Sequence, residues 1–393
     1  MRILHAIHSA NVRGGGPIEG IKQLSQHNLA AGHSVEVLSL DDPAEPWLKE
    51  FPLPIHAVGP SYMSYGYTPR LVPWLRANHH KYDVVIVNGI WQYNSLGVWR
   101  VLRDSATPYC VFTHGMLDPW FKQHYPLKHL KKWLYWPWGE YRVLRDALAV
   151  FFTTEEERRL ARRSFWLYHC DEIVVSYGIA GATGDSVAQR ALFFEKFPET
   201  RDKELILFLG RLHEKKGCDL LLVSFAEALR HTARDPARRD RLHLVMGGSG
   251  SGDYVAALRA QAQQLGIADR ITWTGMVTGD LKWGAFRAAD AFFLVSHQEN
   301  FGIAVAESLS CGLPVLISSR VNIWREVKLH NAGLIEDDNR DGAVRILERW
   351  LALPPERRTE MGENAQRCFD RCFNVDYFAD SFIKALKLLG LPE

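Results

Sequence analysis

The chain has 393 residues, more than one ordinary hydrophobic core can serve, so two domains are expected. Hydrophobic residues make up 47% and charged residues 23%, as in soluble globular proteins, and 47 Lys+Arg against 45 Asp+Glu argues against a nucleic-acid partner. No apolar run reaches about 18 residues and the six cysteines show no paired zinc spacing, which predicts a cytoplasmic chain with reduced thiols and no bound metal.

Short apolar runs of strand type alternate with helical stretches along the whole chain, which predicts parallel sheets with crossover helices. In the first half the predicted strands are 3–7, 34–40, 84–88, 109–113, 150–153 and 172–176. In the second half they are 205–209, 243–246, 271–274, 291–295, 315–317 and 333–335. The fold class is therefore α/β, with two similar Rossmann-like sheets.

The loop after the first predicted strand is rich in glycine. Gly14, Gly15 and Gly16 precede Pro17, which suits the first turn of a helix, so the backbone there could lie close to a ligand. The run lacks the G-x-G-x-x-G spacing of a dinucleotide-binding loop. A dehydrogenase is therefore disfavoured.

His114 lies at the predicted carboxyl end of a strand, in the sequence THG. Ligands of parallel sheets bind outside the carboxyl ends of the strands, so we expect a functional rather than a purely structural histidine. Asn88, Trp91 and Asp118 lie on the same predicted rim and are expected to line the pocket of an acceptor.

The segment 119–145 is basic and aromatic. It carries six lysine and arginine residues and seven tryptophan and tyrosine residues against the single acid Glu140. Three interpretations stay open. The segment is a surface that docks on a membrane, a set of helices that bury their tryptophans in the core, or a platform for an acceptor sugar.

Arg211 and Lys216 follow the first predicted strand of the second half, in the sequence GRLHEKKG. Two cations at the carboxyl end of a strand suit a diphosphate, and they stabilise a departing phosphate more than the bound substrate. Gly248 follows the next predicted strand, where a glycine lets backbone approach a ligand closely.

Glu299 and Glu307 bracket the sequence ENFGIAVAE, the most informative segment of the chain. Residues 300–302 indicate a tight turn, Ile303 begins helical spacing, and Gly312 suits the left-handed cap that ends the helix. A helix start suits a phosphate, and the neighbouring carboxylates suit hydroxyl groups. Phosphate and hydroxyl groups in one pocket indicate a sugar nucleotide.

These motifs resemble those of retaining glycosyltransferases with the GT-B fold, family 4, of the bacterial polysaccharide type (group 1). The E-x7-E pair, the G-R-x(n)-K-G element and the THG sequence carry the resemblance, which covers most of the chain. It implies two facing Rossmann-like domains with an interdomain cleft. The acceptor-side domain is expected over 1–180, with a helix at 375–393 crossing back, and the nucleotide-sugar domain over 181–374.

The resemblance also implies a role for each candidate residue. The expected catalytic residues contact the donor sugar or the phosphates: His114, Arg211, Lys216 and Glu299. Main-chain contacts to the base are expected from Met276 and Val277, and a ribose contact from Glu307. The other expected donor-binding residues are Gly14, Gly15, Gly16, Gly248, Asn300, Phe301, Gly302 and Ile303. One departure is Tyr177-Gly178-Ile179-Ala180, where many relatives have an Asn-Gly-Ile-Asp turn.

The expected activity is transfer of a sugar, with glucose from UDP-glucose as the first choice, to an acceptor hydroxyl with retention of configuration. No metal and no cofactor beyond the donor are expected, and exopolysaccharide or cell-envelope assembly is the expected setting. The expected partners are a nucleotide sugar, a saccharide or lipid-linked saccharide and the inner face of the cell membrane. Two alternatives stay open: a sugar-nucleotide epimerase and a non-catalytic nucleotide-sugar-binding protein.

Overall fold

A computed structural model describes residues 1–11, 16–231 and 235–392. The chain divides into two compact units, each built on one parallel sheet. The first unit contains Met1–Ile179 and Val375–Glu393, and the second contains Ala180–Asn374. Within these described ranges, no helix combines the length and the apolar character needed to cross a membrane.

In the first unit, the described residues form one sheet with the strand order β3-β2-β1-β4-β5-β6-β7, every neighbouring pair being parallel. The strands are β1 (Arg2–Ile7), β2 (Ser34–Ser39), β3 (Ile55–Ala57), β4 (Val84–Asn88), β5 (Tyr109–Phe112), β6 (Ala149–Phe152) and β7 (Glu172–Val174). The helices are α1 (Gly16–Ala30), α2 (Leu71–Asn78), α3 (Tyr93–Leu102), α4 (Trp120–His124), α5 (Pro126–Tyr135), α6 (Glu140–Arg145) and α7 (Glu155–Ala161).

The second unit has a parallel sheet with the order β10-β9-β8-β11-β12-β13. Its strands are β8 (Glu204–Leu209), β9 (Leu242–Gly247), β10 (Ile271–Gly275), β11 (Ala291–Leu294), β12 (Val315–Ser318) and β13 (Gly333–Glu336). Its helices are α8 (Ser186–Lys196), α9 (Cys218–His231), α10 (Pro236–Arg241), α11 (Gly252–Gln264), α12 (Gly279–Ala288), α13 (Ile303–Ser310), α14 (Trp324–Leu329), α15 (Arg340–Ala352) and α16 (Pro355–Cys372). The last helix, α17 (Val375–Leu388), belongs to the first unit.

The strands are apolar along their length because helices cover both faces of a parallel sheet. Strand β4, with the sequence VVIVN, and strand β8, with the sequence ELILFL, are buried at every residue. Phe382 of α17 is fully buried, and its ring centroid lies 6.2 Å from that of Phe112 and 6.1 Å from that of Phe151. The last helix is therefore part of the core of the first unit.

Every predicted strand is present, and the predicted α/β fold is confirmed. Strand β3 was missed because its sequence, IHA, is short and half-buried at the edge of the sheet, so it shows no apolar run. Gly312 has φ 67 just after α13, which confirms the predicted left-handed cap.

Each sheet contains one point at which the strand order changes direction. Strand β1 lies between β2 and β4, and strand β8 lies between β9 and β11. Ligands of such sheets bind outside the carboxyl ends of the strands at this point, because the crossover connections leave in opposite directions and open a crevice. In the second unit, the segments after β8 and β11 carry Arg211, Lys216 and Glu299.

Candidate functional site

Lys216 and Glu299 contact each other beyond the carboxyl ends of β8 and β11. Lys216 Nζ and Glu299 Oε2 form an ion pair, and the two side chains are only 18% and 19% exposed. Burial, followed by the positive charges of Lys215 and Arg211, lowers the pKa of Lys216 to about 8. The ion pair opposes this shift, so Lys216 is cationic near neutral pH. Arg211 is exposed on the same loop.

A short 3₁₀ turn, Glu214–Lys216, brings Lys216 to this position. Gly217 ends the turn with φ 64, and a Cβ there would lie 2.1 Å from the carbonyl oxygen of Val295. The carbonyl of Lys215 accepts a hydrogen bond from the Ser296 hydroxyl at 2.8 Å. The loop after β8 is therefore held against the segment that follows β11, which places the two charged side chains together.

The backbone of Glu299 is held by the segment after β12. Its N–H donates to the carbonyl of Arg320, and its carbonyl accepts the N–H of Asn322, both at 3.0 Å. Gly302 then turns the chain into α13 with φ 78. A Cβ at Gly302 would lie 3.3 Å from Cγ of Glu299, so the turn packs closely on the glutamate side chain. Phe301, within the turn, is buried.

Helix α13 carries a second carboxylate with a lysine partner. Oε1 of Glu307 lies 2.7 Å from Nζ of Lys282 on α12. The first N–H groups of a helix have no intrahelical partner, and Gly302 gives no side-chain cap at this helix start. The first N–H groups of α13, beginning at Ile303, therefore suit an anion, and a carboxylate–lysine pair lies further along the same helix.

A close contact within the chain explains why residue 248 is a glycine, and the sequence did not reveal it. Its φ is 133, and a Cβ there would lie 1.7 Å from the carbonyl oxygen of Gly210. Its N–H donates to the carbonyl of Gly275 at 2.7 Å. The chain itself thus approaches this glycine closely, and a contact of Gly248 with the donor stays a prediction. Met276 is exposed and Val277 half-buried in the loop after β10.

In the first unit, His114 lies on a left-handed turn, with φ 47, and its Nε2 is 3.2 Å from Oδ1 of Asn88. Nδ2 of Asn88 lies 3.2 Å from Nδ1 of buried His5. An amide oxygen accepts and an amide nitrogen donates, so His114 carries its proton on Nε2 and His5 accepts at Nδ1. Burial lowers the pKa of His114 to about 4, and its ring is neutral near pH 7.

A carboxylate that the sequence analysis did not single out fixes the THG turn. Glu157 of α7 is buried and accepts hydrogen bonds from the Gly115 N–H at 2.5 Å and the Thr113 hydroxyl at 2.7 Å. Its other oxygen accepts the N–H and the hydroxyl of Thr153, each at 2.7 Å. The pattern Thr154-x-x-Glu157, in which Thr154 caps α7, was the signal that could have found it.

Gly14 and Gly15 of the glycine-rich loop lie outside the described residues. Gly16 begins α1, and its carbonyl accepts the hydroxyl of Tyr177 at 2.8 Å. A Cβ at Gly20 would lie 1.8 Å from that hydroxyl oxygen, so the tyrosine fits closely against the first turns of α1. Tyr177, where the sequence departs from the family turn, thus holds the helix that follows the glycine loop.

Two residues expected at the acceptor pocket have structural partners. The indole N–H of Trp91 donates to the carbonyl of Met116 at 3.1 Å, and its backbone N–H donates to Glu140 at 2.8 Å. Oδ1 of Asp118 accepts the N–H of Trp120 at 2.8 Å at the start of α4. The acceptor role of Trp91 and Asp118 stays a prediction.

Each half of the chain matches the model of a known protein family. The model of "Glycosyl transferases group 1" matches residues 189–367, which include the two lysine–glutamate pairs. The model of a "Glycosyl transferase 4-like domain" matches residues 15–178, which include His114. The chain belongs to the group 1 glycosyltransferases.

Curated relatives of this group 1 glycosyltransferase include D-inositol 3-phosphate glycosyltransferase from Rhodococcus opacus (strain B4). The two sequences are 30% identical over 258 residues, which is 64% of this chain and 55% of the relative. The chain therefore spans about half the length of the curated relatives it matches.

Two solved structures resemble the whole chain. Sucrose-phosphate synthase from Thermosynechococcus elongatus has a TM-score of 0.77 at 20% identity, with 99% of each chain covered. Anabaena HepE in complex with UDP has a TM-score of 0.78 at 17% identity, covering 99% of this chain and 100% of that one. At these identities the likeness concerns the fold, and it confirms the predicted GT-B fold of two Rossmann-like domains.

In this glycosyltransferase, the segment 119–145 is divided between core and surface. Trp136 is fully buried and donates its indole N–H to the carbonyl of Trp166 at 2.7 Å, so the core interpretation is correct for that residue. Helix α5 has no buried residue. We define the basic apolar surface as eight of the exposed side chains of this segment, namely Lys122, Leu127, Lys128, Leu130, Lys131, Trp133, Leu134 and Trp138.

The structure brings Arg211, Lys216 and Glu299 together at one end of the second sheet. It adds Lys282, which the sequence analysis missed because no motif marks it and its partner Glu307 is 25 residues away. His114 lies in the other unit, next to Asn88.

Proposed function

We propose that this protein transfers a sugar from a nucleotide sugar to an acceptor hydroxyl with retention of configuration. The observation that carries the proposal is the set of two lysine–glutamate pairs around α13, at the point where the strand order of the second sheet reverses. Cations suit phosphates and carboxylates suit hydroxyl groups, so the two pairs offer partners for both parts of a sugar nucleotide.

The donor would exchange these ion pairs for its own contacts. Lys216 and Arg211 would hold the diphosphate together with the backbone N–H groups at the start of α13, which frees the Glu299 carboxylate for sugar hydroxyls. Glu307, released from Lys282, would accept hydrogen bonds from the ribose. In this proposal residues 180–374 bind the donor and residues 1–179 carry the acceptor.

Retention is proposed from the resemblance to the retaining glycosyltransferases of family 4, which lack a carboxylate placed as a covalent nucleophile, so the proposed route is departure and attack on one face. The acceptor hydroxyl would attack from the face that the leaving diphosphate vacates, and a phosphate oxygen would take its proton. Fixed cations stabilise the negative charge that grows on the diphosphate, and this stabilisation is larger in the transition state. The sequence contains no Asp-x-Asp signature, so the step is proposed to need no metal.

UDP-glucose is the donor we propose to test first. The likeness to HepE, solved in complex with UDP, supports a uridine nucleotide. A polysaccharide or lipid-linked saccharide is proposed as the acceptor, because the basic apolar surface suits the anionic headgroups of a membrane that would carry it. Lysines next to exposed leucine and tryptophan side chains are the composition of an interfacial helix.

The decisive experiment is a panel of nucleotide sugars, read first by thermal shift and then by transfer and anomeric NMR of the product. Wild type should be stabilised by one class of donor, while Lys216→Ala and Glu299→Ala should respond weakly. Lys196→Ala, an exposed lysine of the same unit, is the matched control and should respond as wild type does. Absence of any stabilising donor, or equal response of all variants, would overturn the donor site.

The same panel separates the alternatives. An epimerase would convert UDP-GlcNAc without an acceptor, and a binding protein would be stabilised without turnover. Product with inverted configuration would contradict retention while leaving the donor site intact.

A further inference from the structure

Three side chains with soft or borderline ligand atoms meet in the second unit, away from the lysine–glutamate pairs. They are His330, which follows α14, and Cys368 and Cys372 on the last turns of α16. Their ligand atoms all lie within 4.8 Å of one another, and Cys372 Sγ lies 3.4 Å from His330 Nε2. In the sequence, the two cysteines have no further cysteine or histidine near them. The fold supplies one, His330, which lies 42 residues before Cys372.

The arrangement has the dimensions of a metal site. Zinc binds thiolate sulfur at about 2.3 Å and imidazole nitrogen at about 2.1 Å, so tetrahedral geometry puts these two atoms roughly 3.6 Å apart. The observed 3.4 Å between Cys372 and His330 is close to that value. Residues four apart lie on one face of a helix, which lets both thiols of α16 point to the same place.

The surroundings suit a cation. Glu326, one turn before His330 on α14, puts a negative charge near both thiols, and its backbone carbonyl oxygen lies 3.8 Å from Cys368 Sγ. Cys368 is buried and Cys372 and His330 are half-buried, so an entering ion would keep one side open to solvent.

We propose that His330, Cys368 and Cys372 form a zinc site that fastens α14 to the end of α16. Two thiolates and an imidazole favour zinc over magnesium or calcium, which prefer oxygen ligands. Solvent completes the tetrahedron. Binding displaces the thiol protons to solvent, so affinity rises with pH.

The site would also support the candidate donor pocket. Cys372 is followed by Phe373, whose ring centroid lies 5.7 Å from that of Phe301 in an edge-to-face contact. Phe301 is two residues after Glu299, in the turn that begins α13. A metal that fixes the end of α16 would therefore stabilise that turn without touching the donor.

The test uses the full chain, reduced and freed of metal with a chelator, then titrated with Zn²⁺ and separately with Co²⁺. We expect one equivalent of zinc, a raised melting temperature, protection of two cysteines from a thiol reagent, and a thiolate-to-cobalt absorption band. No stoichiometric metal, or a Cys368–Cys372 disulfide in its place, would overturn the proposal.

Variants separate a specific site from general metal binding. Cys372→Ala and His330→Gln should bind zinc roughly 100-fold more weakly, since each removes one of three ligands. Cys170→Ala, a half-buried cysteine of the other unit, is the control and should bind as wild type does. Far-UV circular dichroism verifies that the variants are folded, and equal zinc loss in the control would contradict the assignment. Metal content is measured without any donor, so the zinc site and the proposed transfer can fail separately.

Discussion

The carboxylate of Glu157 accepts the backbone N–H of Gly115 at 2.5 Å and thereby fixes the left-handed turn that presents His114. An ionised carboxylate has only acceptors, and this one receives four hydrogen bonds from the backbone and hydroxyl groups around it. Because the histidine is itself held by Asn88, the turn has two independent supports.

Replacing Glu157 by Gln should therefore destabilise the first unit by about 2–3 kcal/mol, because the amide N–H₂ would face donors that need an acceptor. The rate of sugar transfer should fall together with the stability, because the His114 ring loses its fixed orientation. Urea denaturation and turnover measure the two effects. Glu50→Gln, at an exposed position of the same unit, should change neither. Wild-type stability in Glu157→Gln would contradict this role.

The contributions of Lys216 and Glu299 to the free energy of unfolding should be strongly coupled to each other. Removing one partner leaves a largely buried charge, so a double-mutant cycle with Lys216→Met and Glu299→Gln should give a coupling energy of about 1–3 kcal/mol. The exposed pair Arg357–Glu360 is the matched control, and its cycle should give a value near zero. Equal coupling in the two cycles would show that burial of the first pair has no energetic effect.

Gly302→Ala should damage the donor site more than it damages the fold. A left-handed φ costs an alanine about 1–2 kcal/mol, and the new Cβ would also press on Glu299 Cγ at 3.3 Å. Gly266→Ala is matched for backbone strain, with φ 69, but no atom lies within 4 Å of its Cβ position. Both variants should lose similar stability, and donor binding should weaken at least about tenfold in Gly302→Ala alone. Similar donor affinities in the two variants would count against the packing role of Gly302.

Glu140 should make stability depend on pH. Burial raises the pKa of this carboxyl from 4.5 to about 7, so between those values the unfolded chain binds fewer protons than the folded one. The free energy of unfolding should therefore fall by about 3 kcal/mol from this group as pH rises through that window. Burial lowers the pKa of His114 to about 4, and burial together with the charge of His114 lowers the pKa of His5 to about 3. From these two rings, the free energy of unfolding should rise with pH below pH 6.5.

The Glu140→Gln variant isolates this contribution, because the amide oxygen still accepts from Trp91 and Ser95. Its stability relative to wild type, measured by urea denaturation, should increase from pH 5 to pH 8. A difference between the two proteins that is independent of pH would show that Glu140 is ionised across the range.

The basic apolar surface should bind anionic membranes. Vesicles that contain phosphatidylserine should float wild-type protein, whereas vesicles of phosphatidylcholine alone should float much less of it. Charge reversal of Lys122, Lys128 and Lys131 should weaken binding at least about tenfold, since each lysine near the surface contributes about 1 kcal/mol. Leu127→Ser with Leu130→Ser tests the apolar part, and charge reversal at Lys196 is the control. Unchanged flotation in both sets of variants would exclude this surface as a docking site.

The sequence was sufficient for what local chemistry determines. Apolar runs located every strand except β3, residues 300–302 indicated the turn before α13, and Gly312 indicated the left-handed cap after it. The sequence was insufficient for predicting pairs of side chains that are far apart in the chain and that only the fold brings together. Lys282 reaches Glu307 across 25 residues and Glu157 reaches Gly115 across 42, and nothing in the local pattern specifies such pairs. Gly248 shows a further limit, because the sequence does not reveal that the backbone of Gly210 already requires a glycine there, whether or not a ligand also does.

The return of α17 to the first unit has a consequence for synthesis on the ribosome. The unit that is translated first lacks the buried Phe382 ring, and the His27–Asp376 contact at 2.9 Å, until the last segment has emerged. Residues 180–374 are contiguous and can complete their own fold before that. The nascent chain would therefore complete residues 180–374 before the unit that precedes them, and a premature stop codon shortly before α17 would harm that earlier-translated unit.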